Sequence, residues 1–398
     1  MTTLRDDFLW GASSSAHQTE GNNTDADWWE YENLSTPFFP ERSGDAVDSY
    51  HRYPEDMALL AEAGLNAYRF SIEWSRIEPE DGQFSRAQLD HYRRMIETTR
   101  EHGLEPVVTL HHFTSPRWFT RAGGWRDPVA VERFSRYVDR VSQILNGVNW
   151  VCTINEPNMV ALGIRYFDLA IGAADDNANG RLEPDCEVGD VLVRAHREAV
   201  EILRTATTAR IGWTVAQQAF EGTSGNEDVL ARTNHTWEDR YLEGARGDDF
   251  FGVQAYTSQR VGPDGPIPHA ADPGNTLTGW AYRPDALGAG LRRAWDITEQ
   301  VPLLVTENGI ATSDDSRRIA YTTEALTHLE AAVADGIDVR GYLHWSALDN
   351  FEWGRWAPTF GLIGVNRETF ARTPKPSLAW LGRVARNNGL EPPVGLPR

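Results

Sequence analysis

Two glutamates follow apolar runs that have the composition of buried strands. Glu156 follows WVCTIN (150–155), and Glu307 follows PLLVT (302–306). Two carboxyl groups flanking one bond is the arrangement that glycoside hydrolysis uses, because one donates a proton to the leaving oxygen while the other attacks or stabilises the anomeric carbon. Their environments must push the two pKa values apart. The pair therefore predicts cleavage of a glycosidic bond, provided that the fold brings the two run ends together.

Further polar residues stand at or near the ends of apolar runs. Arg69 lies in NAYRFSI (66–72); if it reaches Glu307 it keeps that carboxyl ionised, while Glu156 in a drier setting holds its proton. Other assignments stay open, since Arg69 could pair with a structural carboxylate such as Glu73, and Tyr256 could be only a packed wall. The other candidates at run ends are His111, His112, Asn155, Asn308 and Trp345, the last leading into DNFEW (349–353).

The runs that carry these residues belong to a regular alternation. Eight short, β-rich apolar runs lie at 8–13, 66–72, 105–112, 150–156, 209–217, 250–256, 302–308 and 339–347. Amphipathic stretches with helical spacing separate them, for example at 55–64, 87–103, 130–147 and 191–207. Gly64, Gly103 and Gly336 close helical stretches, as left-handed caps do. The alternation predicts an α/β fold, a single (β/α)8 TIM barrel that forms one domain over residues 1–398.

A barrel of this kind places its active site at the carboxyl ends of the strands. The fourth and seventh strands end at the two glutamates, and these ends can face each other across the mouth. The barrel itself needs only about 250 residues. We therefore expect the long segments 14–53, 113–130, 157–187 and 257–283 to be loops around the active-site face.

Composition argues against several other classes of protein. With 40% hydrophobic residues the chain can bury a full core, and its net charge of −20 repels nucleic acid phosphates and anionic lipids. We expect a small-molecule β-glycoside or oligosaccharide as partner, no nucleic acid and no membrane; the oligomeric state stays open. Two cysteines, no visible signal peptide and no apolar run of about 18–20 residues predict a cytoplasmic protein.

Neither a metal nor an organic cofactor is expected. His111 and His112 are neighbours on one strand and point to opposite faces, so they cannot both bind one ion. The sequence has no HxH or HExxH pattern and no GxGxxG or Walker-type loop. Cys152, inside the fourth run, is interpreted as a small core residue.

Several long motifs, in order along the chain, resemble one known family. They are FLWGASSSAHQTEG (8–21), YRFSIEWSRI (68–77), TINEPN (153–158), VTENGI (305–310), HWSALDNFEW (344–353), FGLIGVN (360–366) and RTPKPS (372–377). Over essentially its whole length the chain resembles glycoside hydrolase family 1, the β-glucosidase family. The resemblance implies a retaining β-glycosidase, most simply a β-glucosidase, that works by double displacement through a covalent glycosyl-enzyme.

The resemblance also implies roles for individual residues. It makes Glu307 the nucleophile, Glu156 the acid/base and Asn155 the partner of the sugar 2-hydroxyl, with Arg69 and Tyr256 beside the nucleophile. It assigns Gln18, His112, Glu352 and Trp353 to the remaining hydroxyls and Trp345 to the platform under the sugar ring.

The chain departs from the family pattern at two strand ends. Gln254 and Ala255 stand where the family commonly has Asn and Tyr, and His111 and Phe113 stand where it has Tyr and Trp. Segment 354–361 is slightly short, which predicts a more open aglycone side. Relatives that act on 6-phosphorylated sugars carry a phosphate-binding set where this chain keeps Glu352 and Trp353, and a carboxylate beside O6 is expected to repel a phosphate dianion. These departures keep alternatives open: a glycosidase or transglycosylase specialised for an unusual aglycone or deoxysugar, or a non-catalytic sugar-binding barrel.

Overall fold

Eight parallel strands close into a barrel in the computed structural model, which describes residues 4–35, 38–170 and 182–391. The strands are β1 (Leu9–Ser13), β2 (Ala67–Ser71), β3 (Glu105–His112), β4 (Trp150–Asn155), β5 (Arg210–Ala216), β6 (Phe251–Gln254), β7 (Leu303–Glu307) and β8 (Val339–Trp345). They pair in chain order, and β1 pairs with β8 to close the ring. The eight predicted runs and the predicted (β/α)8 fold are confirmed.

After each strand a helix packs on the outside of the barrel. These helices are α1 (Ser49–Ala63), α2 (Arg86–Glu101), α3 (Ala130–Ser142), α4 (Cys186–Ala206), α5 (Glu227–Asn234 and Arg240–Gly244, joined by the π-helical turn His235–Asp239), α6 (Ala286–Ile297), α7 (Asp315–Ala334) and α8 (Pro376–Asn387). In α3 the buried face is Phe134, Tyr137, Val138 and Val141, the spacing of one helical stripe. Gly64 ends α1 with φ 100°, a conformation that favours glycine.

The long segments after the strands contain more structure than expected. Residues 157–170 were expected to be loop, and this is wrong, because helix Pro157–Ala170 follows β4 directly. Proline is compatible with this start, since the first helical position needs no N–H donor. Residues 171–181 of the same expected loop lie outside the described residues. Segment 14–53 holds short helices at Ala16–Thr19 and Asp27–Glu32, and 257–283 holds two short strands, Arg260–Gly262 and Gly265–Pro266.

The two ends of the barrel differ in chemistry. A cluster of buried apolar side chains occupies the end where the strands begin; it comprises Leu9, Ala67, Val107, Trp150, Cys152, Phe250, Leu304 and Leu343. Cys152 is thus a core residue, as predicted. Buried polar residues such as Arg69, Asn155 and Glu307 come later in their strands. The site is therefore built at the carboxyl ends, on a packed apolar base. Every helix among the described residues is too short or too polar to cross a lipid bilayer.

Candidate active site

Glu307, the last residue of β7, is held by two side chains from other strands. Arg69 of β2 donates from Nη1 to Glu307 Oε1 at 2.5 Å, and Tyr256, just after β6, donates from Oη to Glu307 Oε2 at 2.6 Å. Burial raises the pKa of Glu307; the charge of Arg69 and the hydrogen bond from Tyr256 oppose that rise, because both stabilise the carboxylate. The glutamate is thus fixed in place with both oxygens supported in the ionised form.

The same arginine anchors Asn155 at the end of β4. Its Nη2 donates to Asn155 Oδ1, which also accepts from Thr214 Oγ1 at 3.1 Å and from Gln254 Nε2 at 2.9 Å. Three donors on the amide oxygen fix the orientation of the group and leave Nδ2 beside His112 Nε2, at 3.3 Å. The amide at 254 therefore reaches the network although it departs from the family pattern. Its own Oε1 is buried and has no partner among the described residues.

Glu156 sits at the junction between β4 and the helix that follows. Its backbone is in the left-handed region at φ 44°, while its N–H donates to the carbonyl of Thr214 at 2.8 Å. Such conformations cost energy in residues other than glycine and concentrate at functional sites. Burial raises the pKa of Glu156 well above its usual value and the charge of Glu307 raises it further, with Arg69 opposing. Between the two carboxyls, Glu156 is therefore the one that keeps a proton.

Both glutamates line one cavity of about 190 Å³ at the mouth of the barrel. Glu156 and Glu307 are 9% and 4% exposed, so both residues are largely shielded from bulk water. Its other lining residues are His112, Phe113, Met159, Ala216, Gln217, Gln218, Gln254, Tyr256, Thr257, Trp280, Trp345, Glu352, Trp353 and Phe360. No Lys or Arg of the described chain lines it. The arrangement suits a small neutral molecule placed between two carboxyl groups.

The residues predicted to bind a sugar are largely brought together here. His112 lies parallel to both Trp345 and Trp353, with ring centroids 6.0 and 6.1 Å apart. Burial lowers the pKa of His112 well below its usual value, so the ring is neutral and offers both a donor and an acceptor. Trp345 Nε1 donates to Glu352 Oε1 at 3.2 Å, and burial raises the pKa of Glu352 to about 8.

Gln18, also predicted to bind the sugar, lies beside the segment that carries Glu352 and Trp353. It does not appear in the cavity wall, and its amide nitrogen donates to Asn350 Oδ1 at 3.1 Å and to the carbonyl of Phe351 at 2.9 Å. It also hydrogen-bonds Glu352 and opposes the rise in the pKa of that carboxyl. Gln18 therefore supports the segment that carries Glu352 and Trp353.

Contacts show which partner Arg69 has and where the His111 side chain points. Arg69 pairs with Glu307, whereas Glu73 accepts from Ser75 and Thr114. His111 turns away from His112, with its Nε2 3.1 Å from Ser115 Oγ and its ring against Trp125. Within the described ranges no group of three or more His, Cys, Asp or Glu is placed to hold a metal.

Several residues of the cavity were not predicted from the sequence. Met159 comes from the unexpected helix Pro157–Ala170, while Trp280 and Phe360 come from loops. Phe113 and Trp353 share with Glu156 a positive φ, at 65° and 45°. Sequence alone does not reveal this strain, because none of the three is a glycine or asparagine.

Comparisons with known proteins agree with the geometry. The sequence model of Glycosyl hydrolase family 1 matches residues 1–244 and 245–390. The chain is 30% identical to β-glucosidase A of Thermotoga maritima over 96% of its length and 98% of the relative, and 31% identical to thermostable β-glucosidase B of Thermobispora bispora over 97% and 91%. Among solved structures, β-glycosidase BGL167 is 41% identical with a TM-score of 0.88, each chain covered to 99%. The β-glycosidase from Pyrococcus horikoshii is 31% identical with a TM-score of 0.89, covering 100% of this chain and 99% of that one.

Proposed function

The chain belongs to glycosyl hydrolase family 1, a family of retaining β-glycosidases, and on that premise we propose that Glu307 is its nucleophile and Glu156 its acid/base. One observation carries the assignment: the two carboxyls line the same cavity, yet only Glu307 is bonded to a cation and a tyrosine hydroxyl. A nucleophile must be ionised before it attacks, while an acid must hold its proton. The surroundings favour the ionised form of Glu307 and the protonated form of Glu156.

In the first step Glu307 attacks the anomeric carbon. A carboxylate oxygen forms the new bond as the bond to the leaving oxygen breaks, and Glu156 transfers its proton to that oxygen. Arg69 and Tyr256 hold the carboxylate while leaving it lone pairs for attack. Asn155 Nδ2 has two N–H groups, and the one that does not face His112 can donate to the sugar 2-hydroxyl, a contact of the kind that strengthens in the transition state.

In the second step Glu156, now ionised, takes a proton from water. The water oxygen attacks the anomeric carbon, the ester bond to Glu307 breaks, and the proton from water leaves Glu156 protonated again. Two displacements at the same carbon retain the β configuration. Conversion of Glu307 from an anion to a neutral ester also removes the charge that raises the pKa of Glu156, so the acid becomes a base at the moment the mechanism needs one.

We propose a neutral β-D-glucoside as the substrate of this cavity, as the names of the relatives suggest. A carboxylate at Glu352 was expected to repel a 6-phosphate. A pKa of about 8 leaves that carboxyl mostly protonated at neutral pH, so this argument weakens. The support instead is that no described lining residue is Lys or Arg, which leaves a phosphate dianion without a partner. We also propose that residues 1–398 form a single domain, and that it acts in the cytoplasm.

Azide can test both roles. In Glu307→Gly, hydrolysis of p-nitrophenyl β-D-glucoside should be lost and partly restored by azide, with α-glucosyl azide as product, because azide then attacks in place of the missing carboxylate. In Glu156→Ala, azide should instead attack the glycosyl-enzyme and give the β-azide. Glu73→Gln is the matched control, since Glu73 is equally buried but bonds Ser75 and Thr114 and lies outside the cavity wall. Undiminished hydrolysis in Glu307→Gly contradicts the assignment.

A further inference from the structure

Gln254, the last residue of β6, stands at one of the two strand ends that depart from the family pattern. It is fully buried and belongs to the wall of the cavity that holds the two glutamates. Strand pairing places it between Ala216 of β5 and Glu307 of β7. A glutamine side chain is one methylene longer than the asparagine common in the family, so its amide extends further from the strand into the site.

The nitrogen of this amide is used within the protein. Gln254 Nε2 donates to Asn155 Oδ1 at 2.9 Å. Burial raises the pKa of Glu307, and a hydrogen bond from Gln254 is among the contacts that oppose this rise. An amide nitrogen carries two N–H donors, whereas both groups that it faces are acceptors. The nitrogen, and not the oxygen, therefore faces Asn155 and Glu307, which fixes the orientation of the amide.

The oxygen of the same amide is left over. Gln254 Oε1 is buried and has no partner among the described residues. Buried polar atoms almost always have a hydrogen-bond partner, so this oxygen indicates a donor that comes from a bound molecule. Because the oxygen and the nitrogen are bonded to one carbon, Oε1 lies next to Nε2 and so close to Asn155 and Glu307.

The 2-hydroxyl of a bound glucoside comes to the same place. In the proposed function Asn155 donates to its oxygen, and Glu307 attacks the neighbouring carbon. A hydroxyl also carries one donor of its own, which needs an acceptor. Both oxygens of Glu307 already accept hydrogen bonds, from Arg69 and Tyr256. Gln254 Oε1 is a buried acceptor beside them that has not been used.

Resting on the proposed function, we propose that Gln254 Oε1 accepts the hydrogen of the sugar 2-hydroxyl, which makes Gln254 a specificity-determining residue. The hydroxyl is then bound in both directions, accepting from Asn155 and donating to Gln254. A 2-deoxy sugar leaves Oε1 buried and unpaired, and a site built to bind a hydroxyl strongly rejects an analogue that lacks it. The site therefore selects β-glucosides with a free 2-hydroxyl over 2-deoxy sugars.

Thr214 offers a matched control, because it is another neutral donor to Asn155. Thr214 Oγ1 donates to Asn155 Oδ1 at 3.1 Å, and the residue does not belong to the cavity wall. Gln254→Met keeps the length of the side chain and removes both polar atoms of the amide. Thr214→Val removes a donor to Asn155 and leaves Gln254 Oε1 in place. If Gln254 only supported Asn155, the two variants would behave alike.

The measurement is the inhibition constant of 1-deoxynojirimycin and of its 2-deoxy analogue, which differ only in the 2-hydroxyl. The wild type should bind 1-deoxynojirimycin at least about 30-fold more tightly, because the analogue leaves both Asn155 Nδ2 and Gln254 Oε1 unpaired. In Gln254→Met this preference should fall at least about fivefold. In Thr214→Val it should stay close to that of the wild type, since Arg69 and Gln254 still hold the amide oxygen of Asn155.

An equal fall in both variants, or no fall in Gln254→Met, overturns the inference. If Gln254→Met does not fold, a crystal structure of the wild type with 1-deoxynojirimycin decides. Gln254 Oε1 should then lie within about 3 Å of the ligand O2, and a longer distance or an ordered water as its only partner overturns the inference.

Failure of the inference and failure of the proposed function are distinguishable. A wild type that hydrolyses p-nitrophenyl β-D-glucoside, with the same preference between the two inhibitors in Gln254→Met, refutes only the role of Gln254. A wild type that neither hydrolyses this glucoside nor binds 1-deoxynojirimycin refutes the proposed function and the inference with it.

Discussion

Replacing Tyr256 by Phe removes the hydroxyl that donates to the nucleophile and leaves the aromatic ring in place. The hydroxyl donates to Glu307 Oε2 at 2.6 Å, while the ring packs against Trp280 and Phe360. Burial keeps the pKa of Tyr256 well above its usual value, so the group stays a donor at working pH. A hydrogen bond to a charged group contributes about 1.5–3 kcal/mol. Its loss therefore favours the protonated, unreactive form of Glu307 by roughly 10- to 150-fold.

The assay is kcat/KM for p-nitrophenyl β-D-glucoside as a function of pH. In Tyr256→Phe the acidic limb should move to higher pH, because Glu307 then ionises less readily. The basic limb, assigned to Glu156, should keep its position, because no charge has been removed. Tyr282→Phe is the matched control, since Tyr282 donates to Glu324 outside the cavity. An unmoved acidic limb in Tyr256→Phe, or a shift of the basic limb alone, refutes the reasoning.

Two other substitutions test the charges of the site. Arg69→Met leaves Glu307 buried without its cation, which should lower the free energy of unfolding by about 3–5 kcal/mol. Burial raises the pKa of Glu307 above its value in the unfolded chain, so the ionised form weakens the fold as pH increases. The loss of stability measured in urea should therefore be larger at pH 8 than at pH 5, and an equal loss at both would contradict the pairing. Glu352→Gln mimics a protonated carboxyl, so its inhibition constant for glucose should match that of the wild type at pH 6. The two constants should diverge above about pH 8, where ionised Glu352 accepts stronger hydrogen bonds. Identical pH profiles would show that Glu352 does not contact the sugar.

The barrel could be predicted from the sequence because the burial of apolar side chains determines where its strands lie. Each strand is a short apolar run, and the structure places all eight within one or two residues of the predicted limits. Helix Pro157–Ala170 was missed because proline and asparagine directly after Glu156 are typical of a loop. Proline is also common at the first position of a helix, where no N–H donor is needed, so proline alone does not tell a loop from the start of a helix.

The candidate site was predictable where type and spacing carry the chemistry. The paired glutamates, Arg69 and Tyr256 meet as expected. The contacts of the Gln18 amide with residues 350–351 could not be predicted, because they join segments that are far apart in the chain.

Covalent trapping tests the central claim most directly. The enzyme is incubated with 2-deoxy-2-fluoro-β-D-glucosyl fluoride, whose good leaving group allows the first displacement while the fluorine slows the second, and the labelled peptide is sequenced by mass spectrometry. The account predicts one equivalent of label on Glu307. Label on Glu156 or any other residue, or inactivation that Glu307→Gly leaves unchanged, would contradict it.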